Sequence, residues 1–411
     1  MRGFWGKVMN APITSFTPTA PEDVAWLGTG PVPAAAYYDP IWYADEISAI
    51  FKQNWLQIGH ICEVPDRGSF IRRELEFAAA SLLIVRGADD VVRAFHNVCT
   101  HRGTQLVAAE CGRAKTFSCR YHMWTYDGDG RLLSAPDFEQ FGLDKADCGL
   151  PQVACEVVAG MIFVNLAKQP VQGLREYLGD LAMRMEELPI ARATTFSEYH
   201  YEIDANWKLT YDNFQENYHL RFIHSRSGAA AFAPENPFGY PAAFGFHGEH
   251  RTQTLWSNPN PEIKQLQTLG FMRGFAALVA KGVVPSDGSN ASGSRDYFAL
   301  FPNFFLLGTP AQQFSHSVYP LGPEKSRGVI RLYWVGADST PSERYAREYS
   351  MATARDIHAE DRGVITAGQR GLSSGALAHI HFQAQEALCR HLYNGVAARV
   401  NAWRVKKGDV G

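Results

Sequence analysis

The sequence predicts an α+β protein in which a small β-rich domain precedes a larger domain, whose antiparallel sheet is flanked by helices. Residues 60–168 form short apolar runs separated by turn residues, which is typical of a compact β structure. Beyond residue 170, strand-like runs alternate with segments of helical periodicity, the longest of them at 342–370. A chain of 411 residues, 46% of them hydrophobic, is long enough for two or three such cores.

The first half of the chain supplies the elements of the β-rich domain. An amphipathic helix is predicted to run into a strand over 44–59, and Gly128-Asp129-Gly130 predicts a hairpin turn between WTYD and RLLSAP. Four further strands are predicted at 81–87, 91–97, 116–124 and 161–167. We expect an N-terminal segment (1–50) that packs on the larger domain, followed by the β-rich domain (51–170) and the larger domain (171–411).

The larger domain is predicted to mix helices with antiparallel strands. Residues 225–295 look irregular, and their Ser- and Gly-rich end at 285–296 predicts a mobile loop. We place Gly371 as the C-terminal cap of the helix at 342–370. The predicted elements are helices at 174–188, 206–220, 342–370 and 376–404 and strands at 196–204, 296–308 and 328–336.

Charge and composition exclude several classes of function. The net charge is −3, which argues against a basic nucleic-acid groove and against a polybasic membrane surface. No run of apolar residues is long enough to span a bilayer, and the first residues lack the apolar core of a signal peptide, so we expect a cytoplasmic protein. Seven cysteines in a long chain do not form a disulfide framework, which leaves thiols free to bind metals.

Two mixed pairs of cysteine and histidine form the first candidate site. Cys99 and His101 are separated by one residue, and Cys119 and His122 by two. A zinc site usually pairs cysteines with cysteines and histidines with histidines. Mixed pairs suit a [2Fe–2S] cluster whose two thiolates bind one iron and whose two imidazoles bind the other. A single zinc ion remains the alternative.

The motifs C-x-H-R-G and C-x-Y-H-x-W resemble those of the Rieske non-haem iron, ring-hydroxylating oxygenases, catalytic alpha subunit. The respiratory Rieske proteins carry additional cysteines in these motifs, whereas Thr104 and Arg120 stand here. One departure is Met123, where this family commonly has glycine; if the position needs a positive φ, a methionine is strained there. We interpret Cys111 as a bystander.

Glu216, His219 and His224 form the second candidate site. On a continuous helix, residues 219 and 224 would point about 140° apart. Both imidazoles can therefore reach one ion only if the helix ends or distorts near Leu220. From the residues alone, two satisfied surface or core histidines are the stronger interpretation.

The segment N-W-K…N-F-x-E-x-Y-H-x4-H resembles the mononuclear iron motif of the same oxygenases. The resemblance implies that His219 and His224 bind Fe(II) together with a distant carboxylate, and the pattern E-D…Q-R-G-L places that carboxylate at Asp361. Asp356 and Glu360 are competing acids, which we interpret as a solvated helix face.

Further roles follow from the same resemblance. Glu216 matches the carboxylate that links the mononuclear iron to a cluster histidine, here His122, of the neighbouring subunit. Glutamate at this position resembles the branch that acts on quaternary amines, whereas most ring-hydroxylating members have aspartate. Asn213 and Asp212 are candidates for support of the ligands.

The resemblance implies a terminal oxygenase that takes NAD(P)H electrons from a separate flavin/iron–sulfur reductase, in some systems through a ferredoxin. It also implies a homotrimer. We expect an apolar, aromatic substrate, with a quaternary ammonium compound such as carnitine, betaine or choline as the alternative. A Rieske electron-transfer protein and a zinc-stabilised binding protein are more remote alternatives. The candidate pocket residues are Phe222, Phe232, Phe238, Phe244, Phe271, Phe275, Phe301, Phe304, Phe305 and Leu307.

Overall fold

The computed structural model describes residues 16–228, 231–256, 258, 261, 264–283, 296–308 and 313–408. The chain forms two compact units, one made of residues 51–177 and the other of residues 1–50 with 178–411. The predicted mobile loop at 285–296 lies outside the described residues except for Asp296. Among the described residues, no helix has both the length and the apolar character needed to cross a membrane.

The N-terminal segment is part of the larger unit. It contains the short strand β1 (Val32–Pro33) and helix α1 (Pro40–Glu46), which continues into a π-helical turn at Ile47–Phe51. Pro40 begins α1 and the Asp39 side chain caps it, by accepting hydrogen bonds from two backbone N–H groups.

The smaller unit is built from antiparallel strands. A seven-stranded sheet has the order β2-β11-β10-β5-β4-β3-β6, and a three-stranded sheet has the order β7-β8-β9. The strands are β2 (Leu56–His60), β3 (Ser69–Leu75), β4 (Ala80–Arg86), β5 (Val92–His96), β6 (Cys111–Arg113), β7 (Thr116–Ser118), β8 (Thr125–Asp127), β9 (Leu132–Ser134), β10 (Gln152–Val158) and β11 (Met161–Asn165).

The strands predicted in this unit are found, with one exception. The runs at 81–87, 91–97 and 161–167 match β4, β5 and β11, and the predicted hairpin joins β8 to β9. The strand predicted at 116–124 is wrong beyond Ser118, because the chain leaves the sheet there to form a loop. Exposed Cys111 lies on the edge strand β6, away from that loop.

Two matched loops project from this unit at 99–104 and 119–124. The backbone N–H of Cys99 donates to the carbonyl of Thr104, and the N–H of Gly103 donates back to the carbonyl of Cys99. The second loop repeats the pattern, with Trp124 in place of Thr104 and Met123 in place of Gly103. Gly103 has φ +77° and Met123 has φ +56°. Met123 therefore occupies a left-handed position that favours glycine.

The larger unit contains a second seven-stranded antiparallel sheet of order β12-β18-β17-β16-β15-β14-β13. A short pair, β1 with β19 (His379–Ile380), joins the N-terminal segment to the C-terminal part. The sheet strands are β12 (Thr195–Ile203), β13 (Ala243–His247), β14 (His250–Thr254), β15 (Asp296–Leu300), β16 (Phe304–Gly308), β17 (Gln313–Gly322) and β18 (Lys325–Trp334).

The longest helix of the chain packs on this sheet. The helices that follow α1 are α2 (Leu174–Leu178), α3 (Leu181–Glu186), α4 (Trp207–Asp212), α5 (Leu220–Ile223), α6 (Gln265–Ala280), α7 (Pro341–Ser373) and α8 (Ala387–Lys407). Helix α7 packs Met351 and Ile365 against residues of β12 and β18, and α6 packs along α7. In α7, the buried residues His358, Asp361 and Ile365 follow the three- and four-residue spacing of one helix face.

Several predictions for the larger unit are wrong in their bounds. The helix at 174–188 is interrupted at Gly179, whose φ is +58°. Residues 225–295 are not wholly irregular, since they include β13, β14 and α6. The predicted cap at Gly371 is wrong, because α7 continues through this residue. The glycine with positive φ that follows the C-cap is Gly375, at φ +70°. The last helix begins at Ala387 rather than at 376, because β19 and a 3-10 turn precede it.

A buried ion pair anchors the N-terminal segment to α4. The Lys208 ammonium lies 2.5 Å from the Glu46 carboxylate, and both side chains are 0% exposed. The indole N–H groups of Trp42 and Trp207 also donate to this carboxylate, and Lys208 donates to the Asn206 side chain as well. Each charge is therefore paired and hydrogen-bonded, which is the condition under which buried charges are tolerated.

We expect Lys208→Met to lower the free energy of unfolding by about 3–5 kcal/mol, because it leaves the Glu46 carboxylate buried without a cation. Urea denaturation followed by circular dichroism measures the change. The double variant Glu46→Gln/Lys208→Met should recover part of the loss, since the amide is neutral and its one oxygen still accepts from one of the two indoles. A double variant no more stable than Lys208→Met would contradict this account.

We expect Met123→Gly to raise the free energy of unfolding of the smaller unit by up to about 1 kcal/mol, because glycine removes the left-handed strain. Met123 is exposed, so little packing is lost. Met123→Ala is the matched control, since it shortens the side chain and keeps a Cβ at positive φ. Differential scanning calorimetry would contradict the interpretation if both variants unfolded at the same temperature.

Candidate active site

The segment that carries His219 and His224 is broken into turns. The side chain of Asn206 caps the first turn of α4, and the helix ends at Asp212. The helix predicted over 206–220 is therefore wrong beyond Asp212. The Glu216 carboxylate accepts from the backbone N–H groups of Tyr218 and His219, which a continuous helix would have paired with carbonyls. The short helix α5 then follows.

This break brings the two imidazoles together, with ring centroids 5.3 Å apart. Helix α7 adds a carboxylate from its buried face: Asp361 Oδ1 lies 2.9 Å from His224 Nε2 and 3.6 Å from His219 Nε2. One ligand atom from each of these three residues lies within 4.8 Å of the others. Asp361 is only 2% exposed.

Two nitrogens and one oxygen at this spacing fit a single divalent iron. Neighbouring ligands of a first-row metal, with bonds of about 2.0–2.2 Å, are themselves about 3 Å apart. Two histidines with one carboxylate on one side of the ion are the ligand set of non-haem Fe(II) oxygenases, which leaves further positions open. The donor chemistry and the spacing of Asp361 from the two imidazoles therefore both suit iron.

A further carboxylate contacts the outer nitrogen of each imidazole. Glu216 Oε1 contacts His219 Nδ1, and Glu360 Oε2 lies 2.7 Å from His224 Nδ1. The Ser227 hydroxyl donates to Glu360 at 2.5 Å. Such contacts hold the Nδ1 proton and direct Nε2 toward the ion. Glu360 and Asp356 are both exposed, as predicted for a solvated helix face, but Glu360 also contacts His224, which the sequence did not indicate.

Asn213 and Asp212 have different surroundings. Asn213 lines the cavity beside the ligands, and its Nδ2 has no hydrogen-bond partner among the described residues. Asp212 is buried and accepts from the Tyr37 hydroxyl at 2.9 Å. Burial raises the pKa of Asp212 to about 7, more than the Tyr37 hydrogen bond lowers it. Asp212 is thus a buried group at the C-terminal end of α4, whereas Asn213 lines the cavity.

The cysteine and histidine pairs of the smaller unit also come together. His101 Nδ1 lies 3.1 Å from His122 Nδ1, and both cysteines are buried. The Tyr126 hydroxyl lies 3.3 Å from Cys99 Sγ, and Trp124 stacks on His101. Burial opposes ionisation of Cys119, but backbone N–H groups outweigh it and lower the pKa of this thiol. The two loops therefore place two imidazole nitrogens side by side and bury both cysteines, and these are the ligand types that a mixed [2Fe–2S] cluster needs.

A cavity of about 310 Å³ adjoins the triad in the larger unit. Of the ten predicted pocket residues, Phe271, Phe305 and Leu307 line it, and the other seven do not. The sequence prediction missed most of the lining, because the register between strands and the rotation of each helix decide which side chains face the cavity. The missed residues with large side chains are Phe214, Leu220, Gln253, Gln267, Tyr297, Phe314, Ile330, Tyr349 and Ile357.

Comparison with known proteins places both units. The model of the ring-hydroxylating alpha subunit (catalytic domain) matches residues 190–402, just over half of the chain, and the model of the Rieske [2Fe–2S] domain matches residues 54–154. These two domains imply a Rieske cluster and a mononuclear iron, with electrons supplied by a reductase.

Relatives of known activity differ in substrate. The glycine betaine monooxygenase oxygenase subunit of Pseudomonas aeruginosa is 35% identical over 193 residues, 47% of this chain and 44% of that protein, so the chain spans under half of its length. The carnitine monooxygenase oxygenase subunit of Escherichia coli is 28% identical over 84% of each chain. The structure of naphthalene 1,2-dioxygenase from Rhodococcus sp. bound to indole is similar in fold, with a TM-score of 0.72, 22% identity and coverage of 93% of this chain and 99% of that one. This chain belongs to the ring-hydroxylating alpha-subunit family, with a Rieske [2Fe–2S] domain ahead of its catalytic domain.

Proposed function

We propose that this protein is the terminal oxygenase component of a reductase-dependent system, in which His219, His224 and Asp361 bind Fe(II). The observation that carries the proposal is the convergence of these three ligand atoms within 4.8 Å in the wall of an apolar cavity. An electron-transfer protein needs no such cavity. Glu216 and Glu360 hold the imidazoles, and Asn213 is positioned to contact a bound molecule.

The bound iron supplies a site at which O₂ is activated beside the substrate. In a monooxygenation, one oxygen atom enters the substrate and the other leaves as water, with two electrons and two protons consumed. In a dioxygenation, both atoms enter the substrate, again with two electrons and two protons. NAD(P)H supplies the electrons through a partner flavin/iron–sulfur reductase, with or without a ferredoxin, and Cys99, His101, Cys119 and His122 hold the cluster that receives them.

We propose a homotrimer, in which Glu216 links the iron site to His122 of the partner subunit. The contacts of Glu216 support this role, since one oxygen holds His219 Nδ1 and the other accepts from two backbone N–H groups. A carboxylate fixed in this way has a defined position beside the ligand. Its conservative replacement by glutamine should retain both metal centres and slow electron transfer between them.

The cavity favours an apolar, aromatic substrate. Rings dominate its lining, and the ring of Phe305 lies 4.4 Å from that of Tyr297 and 5.9 Å from that of Phe314. None of the described lining residues is lysine or arginine. The carboxylate of carnitine or betaine would therefore find no cationic partner among them, and burying an unpaired charge is costly.

A quaternary ammonium substrate is the second candidate. Glu216 in place of aspartate and the betaine and carnitine monooxygenase relatives favour it. Aromatic rings also attract quaternary ammonium groups through cation–π contact. Choline, which lacks a carboxylate, suits this lining better than carnitine does.

An EPR experiment on the anaerobically reduced holoprotein tests the proposal. A Rieske signal, followed by a high-spin ferrous–nitrosyl signal after addition of nitric oxide, is expected from the two centres. Naphthalene should perturb the nitrosyl signal and L-carnitine should not. Perturbation by choline or carnitine alone would favour the second candidate. If the protein gives a Rieske signal but no nitrosyl signal, even after reconstitution with Fe(II), the oxygenase function is rejected.

We expect Glu360→Ala to weaken Fe(II) binding by about 10–100-fold, because His224 loses the carboxylate that holds its Nδ1. Equilibrium dialysis of the apoprotein against Fe(II) measures the affinity, and the Rieske absorption reports that the smaller unit is intact. Asp356→Ala is the matched control on the exposed face of α7 and should bind iron as the wild type does. Equal losses in the two variants would contradict a specific role for Glu360.

A further inference from the structure

One row of side chains crosses four strands of the sheet and lines the cavity. Gln253 on β14 pairs with Tyr297 on β15, Tyr297 pairs with Leu307 on β16, and Leu307 pairs with Phe314 on β17. Directly paired residues of antiparallel strands share a face of the sheet, so these four side chains stand side by side. All four line the cavity. The row changes from apolar at Phe314 to polar at Gln253.

The polar end of this row lacks protein partners. Gln253 is 2% exposed, and its Oε1 forms no hydrogen bond within the part of the chain that the structure describes. Burial alone raises the pKa of Tyr297 to about 12, and no hydrogen bond to its hydroxyl is found among the described residues. Buried amides are nearly always hydrogen-bonded, which makes the Gln253 oxygen an exception. Tyr297 beside it is half-buried, and its side chain lines the cavity.

Three other polar side chains of the lining already have partners. The hydroxyl groups of Ser350 and Thr353 each donate to a carbonyl of α7 at 2.8 Å, and the Asn217 amide donates to the Gly239 carbonyl at 2.8 Å. The orphaned Asn213 amide lies with the proposed iron ligands rather than in the row. Within the row, Gln253 and Tyr297 are thus the groups that a bound molecule can satisfy.

We propose that Gln253 and Tyr297 select the substrate, which is an uncharged cyclic compound carrying one hydroxyl or N–H group that donates to Gln253 Oε1. This inference rests on the proposed oxygenase function and narrows its substrate class. The apolar part of the substrate lies against Leu307 and Phe314. Where the substituent is a hydroxyl, its oxygen also accepts a hydrogen bond from the Tyr297 hydroxyl. A site built to bond such a group discriminates strongly against an analogue that lacks it, because its own polar atoms then stay unpaired.

Indole and indene test the proposal, since they share size and shape and differ by N–H in place of CH₂. Their dissociation constants are measured on the reduced, iron-loaded holoprotein from the perturbation of the ferrous–nitrosyl EPR signal. The wild type should bind indole about 10–100-fold more tightly than indene. Gln253→Leu should bring the two constants to within about threefold. Tyr297→Phe should leave the ratio unchanged, because the indole nitrogen has no free lone pair to accept from this hydroxyl.

Phe314→Leu is the matched control in the same row, and it should weaken both probes while their ratio is kept. Equal affinities of the wild type for the two probes, or an unchanged ratio in Gln253→Leu, would overturn the inference and leave the oxygenase function standing. If neither probe perturbs the nitrosyl signal, the apolar cyclic substrate itself is rejected, and the inference with it. Gln253→Met, which keeps the length of the side chain and removes the amide, provides the decisive ratio if Gln253→Leu fails to retain iron.

Discussion

The catalytic unit depends on one buried carboxylate. Glu46 receives hydrogen bonds from Trp42, Trp207 and Lys208 and thereby fixes the first turn of α4 against the N-terminal segment. At the other end of α4, the Tyr211 hydroxyl donates to the carbonyl of Phe304 at 2.6 Å, so the helix is also tied to the sheet. The turns that follow begin from a helix held at both ends, which limits the positions that His219 can adopt.

The proposed metal site combines two elements with opposite requirements. The segment after α4 must break, because its imidazoles converge only when the helix is interrupted, and Glu216 stabilises that break by accepting backbone N–H groups. Helix α7 must remain continuous, because Asp361 reaches the imidazoles from its buried face. Successive residues of a helix point about 100° apart. Asp361 accordingly faces His224 Nε2 while Glu360 turns to Nδ1 of the same ring.

Charged and uncharged side chains lie in different parts of the cavity lining. Its charged groups, Glu216 and Asp361, lie at the proposed iron site, whereas the sheet contributes rings, aliphatic side chains and the amide of Gln253. A substrate is therefore oriented by shape and by uncharged hydrogen bonds. Aromatic and quaternary ammonium compounds both favour ring faces, and the similar proteins include a carnitine monooxygenase subunit and a naphthalene dioxygenase.

The sequence by itself determined the fold class, the two sets of candidate ligands and the family, because cysteine, histidine and carboxylate spacings are local and chemically specific. It also indicated that Met123 is strained if its position needs a positive φ, which the repeated loop geometry bears out. The tertiary structure alone decided where α4 ends, how Glu360 serves His224, and which side chains line the cavity. The physical reason is that helix termination at Asp212 and the row from Gln253 to Phe314 depend on contacts between residues far apart in the chain, which local periodicity does not encode.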